Sequence, residues 1–304
     1  MRPAFPDPGK AGRLFWGRLG RMADTALVLG AGGVTGTAWE SGNLHGHAKA
    51  GVDLSTADLI VGSSAGAIVG AQLAFGPAGI GDLYERQLAE PESGNGAAGR
   101  LGPVTILRYA RAVLSSRTPA EYGRKLGALA RDSRPAATAA ERREMIASWL
   151  PSTEWPARHL LVTAVDASTG ALHTFDRTGT VTLADAVTAS CAVPVVWPVV
   201  SAGGGSWIDG GVHSPANAQL ASGYGRVVVI APTASGNKVI VSPRAQAAEL
   251  EAAGARVEVI TPDAGTRKAI GRNSLDPARR AAAARAGLAQ SAAHTEAVAA
   301  VWNG

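Results

Sequence analysis

The sequence predicts an α/β protein with a mostly parallel central sheet flanked by helices, and three observations predict it. Apolar runs of strand length end in glycine-rich turns, first at Leu27-Val28-Leu29 and again at Leu59-Ile60-Val61. Each turn leads into a helical pattern, so residues 23–75 read as strand, helix, strand, helix. The alternation returns after residue 150, with strands expected at 159–165, 171–175, 226–230 and 256–260.

Taken in order, the first strand enters Gly30-Ala31-Gly32-Gly33-Val34-Thr35-Gly36, and the first helix is expected over 39–50. The second strand enters Gly62-Ser63-Ser64-Ala65-Gly66, and the apolar Ala67-Ile68-Val69 follows at once. Residues 81–150 then change character. Strand signals vanish, and helical runs at 106–114 and 139–150 stand between Gly, Pro and Ser breaks. That pattern predicts a helical cap inserted over the site. The strands at 159–165 and 171–175 form a hairpin about Ser168-Thr169-Gly170, with Asp166 as a turn residue. Residues 277–302 are expected as one long alanine-rich helix. Residues 23–304 thus read as one domain with a cap at about 81–150. Residues 1–22 read as a basic extension. Arg2, Lys10, Arg13, Arg18 and Arg21 there face a single acid, Asp7, with Leu14, Phe15, Trp16 and Leu19 between them. A flexible tail is the simpler account, and a short amphipathic segment touching a membrane is the other.

Strand, sharp turn and helix around Gly62-Ser63-Ser64-Ala65-Gly66 are the context of a G-x-S-x-G nucleophile elbow. The glycines permit the tight backbone, and the helix start favours developing negative charge near the Ser64 hydroxyl. Alone, the pentapeptide is also compatible with an ordinary Gly/Ser turn. The upstream glycine loop decides between them. It fails as a dinucleotide fingerprint, because the sixth position counted from Gly30 is Thr35. It fails as a phosphate-binding P-loop, because the loop holds no Gly-Lys pair. As an oxyanion hole it offers bare backbone N–H groups, each worth about 3 kcal/mol in a transition state. Only that reading explains a serine elbow about thirty residues later.

The glycine run Ala31-Gly32-Gly33-Val34-Thr35-Gly36 resembles the Gly-Gly-Gly-x-Arg/Lys-Gly oxyanion loop of the patatin-like phospholipases, which are lipid acyl hydrolases. Gly62-Ser63-Ser64-Ala65-Gly66 is similar to that family's G-x-S-x-G, and Trp207-Ile208-Asp209-Gly210-Gly211 to its Asp-Gly-Gly motif. The segment from Ala189-Ser190-Cys191 to Pro198 resembles the Ser-x-Ala-x-Pro stretch before that aspartate. Order and spacing agree over about residues 25–235. Ala31 replaces the first glycine and Thr35 stands where the family usually has a cation, so the backbone donors remain and the local charge is reduced.

The resemblance implies a patatin-like fold, a Ser64–Asp209 dyad, an oxyanion hole at Gly32, Gly33 and Val34, and a lipid ester as substrate. Gly30, Gly36, Gly62, Gly66, Gly210 and Gly211 support the motifs. No metal and no cofactor are implied. Asp209 ends an apolar strand and precedes two glycines, which is also the pattern of a plain Asp-Gly turn. Histidine bases for an ordinary Ser-acid-His triad are limited to His213, four residues past Asp209, and His294, in the alanine-rich tail. Neither has a glycine-flanked presentation. Asn217 reads either as hydrogen-bonding support for the Asp209 loop or as a turn residue.

Composition bounds the rest. Among 304 residues, 46% are hydrophobic and 38 are glycine, as a large packed domain requires. The single cysteine, Cys191, excludes an internal disulfide, and without an elbow it reads as a small buried residue rather than a nucleophile. No apolar run approaches the ~20 residues of a spanning helix, and no leader pattern precedes the first strand, so a cytoplasmic protein with an optional peripheral membrane contact is expected. His45 and His47 lack a carboxylate companion for a metal. The net charge of +5 is spread without a nucleic-acid reader motif or aromatic platform, so nucleic acid is not an expected partner. Between residues 100 and 134 stand eight Arg/Lys and two acids, read as a solvated face or as an attraction to anionic headgroups. Oligomeric state leaves no trace. The function expected is a serine acyl hydrolase acting on lipid esters. The alternatives are a non-catalytic lipid- or acyl-binding protein of the same fold and the triad hydrolase.

Overall fold

Apolar segments too short for helices build the sheet in the computed structural model, which describes residues 24–76, 79–89 and 102–304. The expected basic extension at 1–22 lies outside the described residues. The strands are β1 (Thr25–Leu29), β2 (Leu59–Ser63), β3 (His159–Asp166), β4 (Leu172–Phe175), β5 (Val200–Ala202), β6 (Gly205–Asp209), β7 (Arg226–Ile230) and β8 (Arg256–Ile260). They run in the order β5-β6-β3-β2-β1-β7-β8, with β4 also on β3. The stretch β3-β2-β1-β7-β8 is parallel throughout, and β4, β5 and β6 join by antiparallel pairing.

A parallel sheet buried on both faces needs apolar residues in succession rather than in alternation, which is why β1 and β7 read as unbroken runs. Leu27 and Leu29 of β1 enter one core with Ile60 and Leu160, while Ala26 and Val28 enter another with Val227 and Val229. Burying each such leucine contributes about 2 kcal/mol.

The helices are α1 (Gly33–Lys49), α2 (Ala65–Leu73), α3 (Ile80–Leu88), α4 (Pro103–Ser115), α5 (Pro119–Arg131), α6 (Ala139–Trp149), α7 (Leu183–Ser190), α8 (Pro243–Ala252), α9 (Ala264–Ile270), α10 (Arg280–Ser291) and α11 (Thr295–Trp302). Between α2 and β3 the described residues are helical or irregular, without a strand. Three boundaries differ from expectation. The first helix starts at Gly33, inside the glycine loop, because Gly36 N–H already closes a helical bond to Gly32 O. Helix α5 falls between the helical runs expected at 106–114 and 139–150, with Thr118 capping it by accepting from Glu121 N–H and Pro119 opening it. The alanine-rich tail is broken. A 3-10 turn at Pro277–Arg279 precedes α10, and α11 starts at Thr295. Packing overrides propensity there. Helix α10 lies on α1 through Gly42 and Gly287, where an added methyl at Gly42 would strike Ala284 O. His294 at the break bonds Glu258 of β8 at 2.9 Å, and Arg226 of β7 donates to Trp302 O at 2.6 Å at the end of α11.

The register of β3 matters most for the site. Val162 and Thr163 pair with β2 on one side and with β4 on the other, whereas Ala164 and Val165 pair with β4 and β6. Strands β2 and β6 therefore lie end to end along one edge of β3, pointing at each other. Ser63 pairs with Thr163, and Asp209 pairs with the next residue, Ala164.

Candidate active site

Ser64 occupies the single residue between β2 and α2, with φ 53° and ψ −111°. A non-glycine residue at positive φ is strained and persists only where its surroundings force it. Two glycines allow the turn. A methyl on Gly62 would lie 2.6 Å from Gly66 O, and one on Gly66 would collide with the Leu29 carbonyl. Ser64 N–H donates to Ser190 Oγ at 2.8 Å, and Cys191 Sγ donates to Ser64 O at 3.3 Å. The end of α7 thus braces the turn from behind.

The meeting of β2 and β6 brings Asp209 to this turn. Ser64 Oγ donates to Asp209 Oδ2 at 2.6 Å, and Gly211 N–H donates to Asp209 Oδ1 at 2.8 Å. Both carboxylate oxygens are engaged, and both residues are 5% exposed. Burial pushes the Asp209 carboxyl up to about 6, against the opposing pull of the Ser64 hydroxyl, the Gly211 N–H and the Arg142 guanidinium. At neutral pH the group is mostly ionised and still basic enough to accept a proton. Gly210 has no room for a side chain, since a methyl there would strike Thr163.

The glycine loop closes the third side. Gly30 N–H bonds Ile230 O at 2.9 Å, Ala31 N–H bonds Pro215 O at 2.7 Å, and Thr35 N–H bonds Ser274 O at 3.0 Å. The N–H groups of Gly32, Gly33 and Val34 have no acceptor among the described residues, as expected for a first helical turn. The loop abuts both partners. Gly66 N–H donates to Gly30 O at 3.0 Å, and a methyl on Gly211 would lie 2.5 Å from Ala31 Cβ. Thr35, in the position of the expected cation, is fully buried and bonds Ser274 O through Oγ1 at 3.2 Å. It therefore turns into the protein.

Asn217 ties these pieces together from a left-handed conformation, φ 56°. Its amide donates to Ser63 Oγ at 2.9 Å and to Gly210 O at 3.1 Å, and its Oδ1 meets His213 Nδ1 at 2.8 Å. His213 is thus held by Asn217, and His294 by Glu258; neither has a hydrogen bond to Ser64 or Asp209. Cys191 is buried, and burial pushes its thiol up to about 12, far from a reactive thiolate. His47 is buried and its imidazole is pushed down to about 4, while His45 stacks on Tyr84. No group of three potential metal ligands occurs among the described residues.

Two contributors had no role assigned from sequence. Ser190 stands in the motif before Asp209, but its bond to the Ser64 backbone needs the fold. Arg142 comes from α6, carries no local motif, and is 7% exposed. Its guanidinium lies 4.1 Å from the Trp197 ring centroid and 5.5 Å from that of Trp149. It has no carboxylate partner among the described residues.

The arrangement is a serine hydroxyl hydrogen-bonded to a buried carboxylate, beside a loop of free N–H donors. It suits acyl transfer. A family model described as patatin-like phospholipase matches residues 27–222. The fold is similar to that in the crystal structure of VipD from Legionella pneumophila, at 15% identity and TM-score 0.45, over 90% of this chain and 67% of that one. It is also similar to the type III effector protein ExoU, at 17% identity and TM-score 0.37, over 91% of this chain and 53% of that one. The chain thus spans about half the length of ExoU. No curated protein matches it at a significant level.

Proposed function

Because the chain belongs to the patatin-like phospholipase family, whose model covers residues 27–222, we propose that it is a serine acyl hydrolase cleaving carboxylic ester bonds of lipids through a Ser64–Asp209 dyad. The observation that carries this reading is the 2.6 Å hydrogen bond from Ser64 Oγ to Asp209 Oδ2. Asp209 takes the hydroxyl proton as Ser64 Oγ attacks the ester carbonyl. The carbonyl oxygen becomes an oxyanion, received by the N–H groups of Gly32, Gly33 and Val34. Collapse breaks the bond to the alcohol, which leaves with the proton from Asp209. A water molecule, deprotonated by Asp209, then attacks the acyl-serine carbonyl and releases the fatty acid, and the proton returns to Ser64 Oγ. No histidine is required, consistent with the engagement of His213 and His294 elsewhere.

A long-chain alkyl fluorophosphonate followed by intact-protein mass measurement tests the reading. One adduct is expected on the wild type and none on Ser64→Ala. Ester turnover in Ser64→Ala should fall by about 10⁴-fold or more. Turnover that persists in Ser64→Ala refutes the assignment. Tight lipid binding by a wild type with neither adduct nor turnover identifies a non-catalytic lipid-binding protein of the same fold.

A further inference from the structure

Helix α4 buries one face and leaves the other bare. Tyr109, Ala112 and Val113 pack into the cluster that holds Ile208 and Val212, the apolar residues flanking the Asp209 loop. Tyr109 Oη also donates to Pro194 O at 2.7 Å. The opposite side exposes Val104, Leu107 and Leu114 at 62%, 70% and 72%. Their spacing of three and seven puts them on one stripe, with Arg111 between the two leucines. Ile106 and Arg108 lie beside it. Monomer surfaces scatter such side chains singly, whereas a stripe of them on one helix marks a contact surface.

The charge identifies the partner. No acid occurs from 102 to 120, while Arg108, Arg111 and Arg117 do. Lys238 Nζ donates to Leu114 O at 3.1 Å, so one further cation sits at the helix C-terminus, beside Lys125, which is paired with Glu121 at 3.0 Å. A second copy docked on this face would set these cations against themselves. An apolar stripe among arginines fits an anionic lipid surface.

We propose that α4 is a docking helix that lies on an anionic phospholipid surface, with Val104, Leu107 and Leu114 entering the acyl boundary and Arg108 and Arg111 on the headgroup phosphates. Its buried face rests on the cluster beside the Asp209 loop, so docking brings the bilayer to the Ser64 side of the protein. That delivery role rests on the lipid-ester reading of Ser64; the docking itself does not.

The test is co-sedimentation of the full chain carrying Ser64→Ala, which cannot consume its target. The vesicles are phosphatidylcholine mixed with phosphatidylglycerol, or phosphatidylcholine alone. Binding to the mixed vesicles is expected, weakened by high salt. In the same background, Arg108→Gln with Arg111→Gln should weaken it about 25-fold, at roughly fivefold per cation. Leu107→Glu with Leu114→Glu should weaken it at least as much. Without Ser64→Ala, both pairs should keep the turnover of a short water-soluble ester and the thermal midpoint of the wild type, since the altered side chains are solvated. Equal binding by the parent and both pairs, or no binding by the parent, overturns the proposal. So does a dimer that Leu107→Glu with Leu114→Glu dissociates, which would make a second copy the occupant. If vesicles bind but no ester turns over in the wild type, the docking stands and the catalytic reading falls.

Discussion

Replacing Asp209 with asparagine is expected to make the protein more stable near neutral pH and inactive on esters. Burial raises this carboxyl from 3.8 to about 6. In the unfolded chain it ionises near 3.8, so between those values the folded protein holds the proton more tightly. Stability therefore falls as pH rises through this window. Below it both states are protonated and nothing is lost; above about 6 the loss is complete. At about 1.4 kcal/mol per tenfold difference in proton affinity, the buried charge costs about 3 kcal/mol. An asparagine amide is neutral throughout, and its oxygen can still accept from Gly211 N–H. For a chain of this size the variant should melt about 5–10 °C higher than the wild type at about pH 8. That gap should close toward about pH 4. Thermal melts across this range read the difference directly. A gap that is independent of pH, or a variant less stable than wild type at the higher pH, would refute the burial argument.

Arg142→Gln removes the cation that helps hold Asp209 ionised, so the acid limb of kcat/KM, expected near 6 in the wild type, should move to higher pH; an unmoved limb sinks this. Gly66→Ala places a methyl against the Leu29 carbonyl and should destabilise by about 3 kcal/mol, seen as a lower urea midpoint. A midpoint within error of wild type would contradict it. Asn217→Ala leaves Ser63 Oγ, Gly210 O and His213 without their shared partner, a loss of about 2–3 kcal/mol. It should also lower kcat more than it raises KM, because Asp209 is displaced while the exposed face of α4 is not. An effect confined to KM would argue against a positioning role.

What the sequence made legible is what is encoded locally. The strands at 226–230 and 256–260 have the expected bounds, and the 159–165 and 171–175 segments pair antiparallel, because uninterrupted apolar runs between turn residues leave few alternatives. The juxtaposition of Ser64 and Asp209 was readable only through a resemblance, since no periodicity relates residues so far apart. What stayed hidden depends on distant partners. Ser190 looks like any helix-terminal serine until its hydroxyl is seen on the Ser64 N–H. Arg142 looks like one more cation on a charged helix until Trp149 and Trp197 flank it. The break in the alanine-rich tail escapes propensity altogether, because two good helix-forming stretches separate only to follow α1 on one side and the sheet edge on the other.

The end-to-end placement of β2 and β6 on one edge of β3 has a consequence for how such a protein can change. The positions of Ser64 and Asp209 are set by adjacent rungs, Thr163 and Ala164, of a single ladder. The described residues between 65 and 158 leave the sheet after the Ser63 rung, and the chain re-enters it at β3. Helices α3, α4 and α5 in that excursion are therefore free to lengthen or shorten without altering the spacing of Ser64 and Asp209, whereas α2, which packs Gly66 against the Leu29 carbonyl, is not. Arg142 of α6 is a further exception in that excursion, since its guanidinium acts on the Asp209 carboxyl. Sliding β3 by one residue, by contrast, would turn Asp209 to the other face of the sheet.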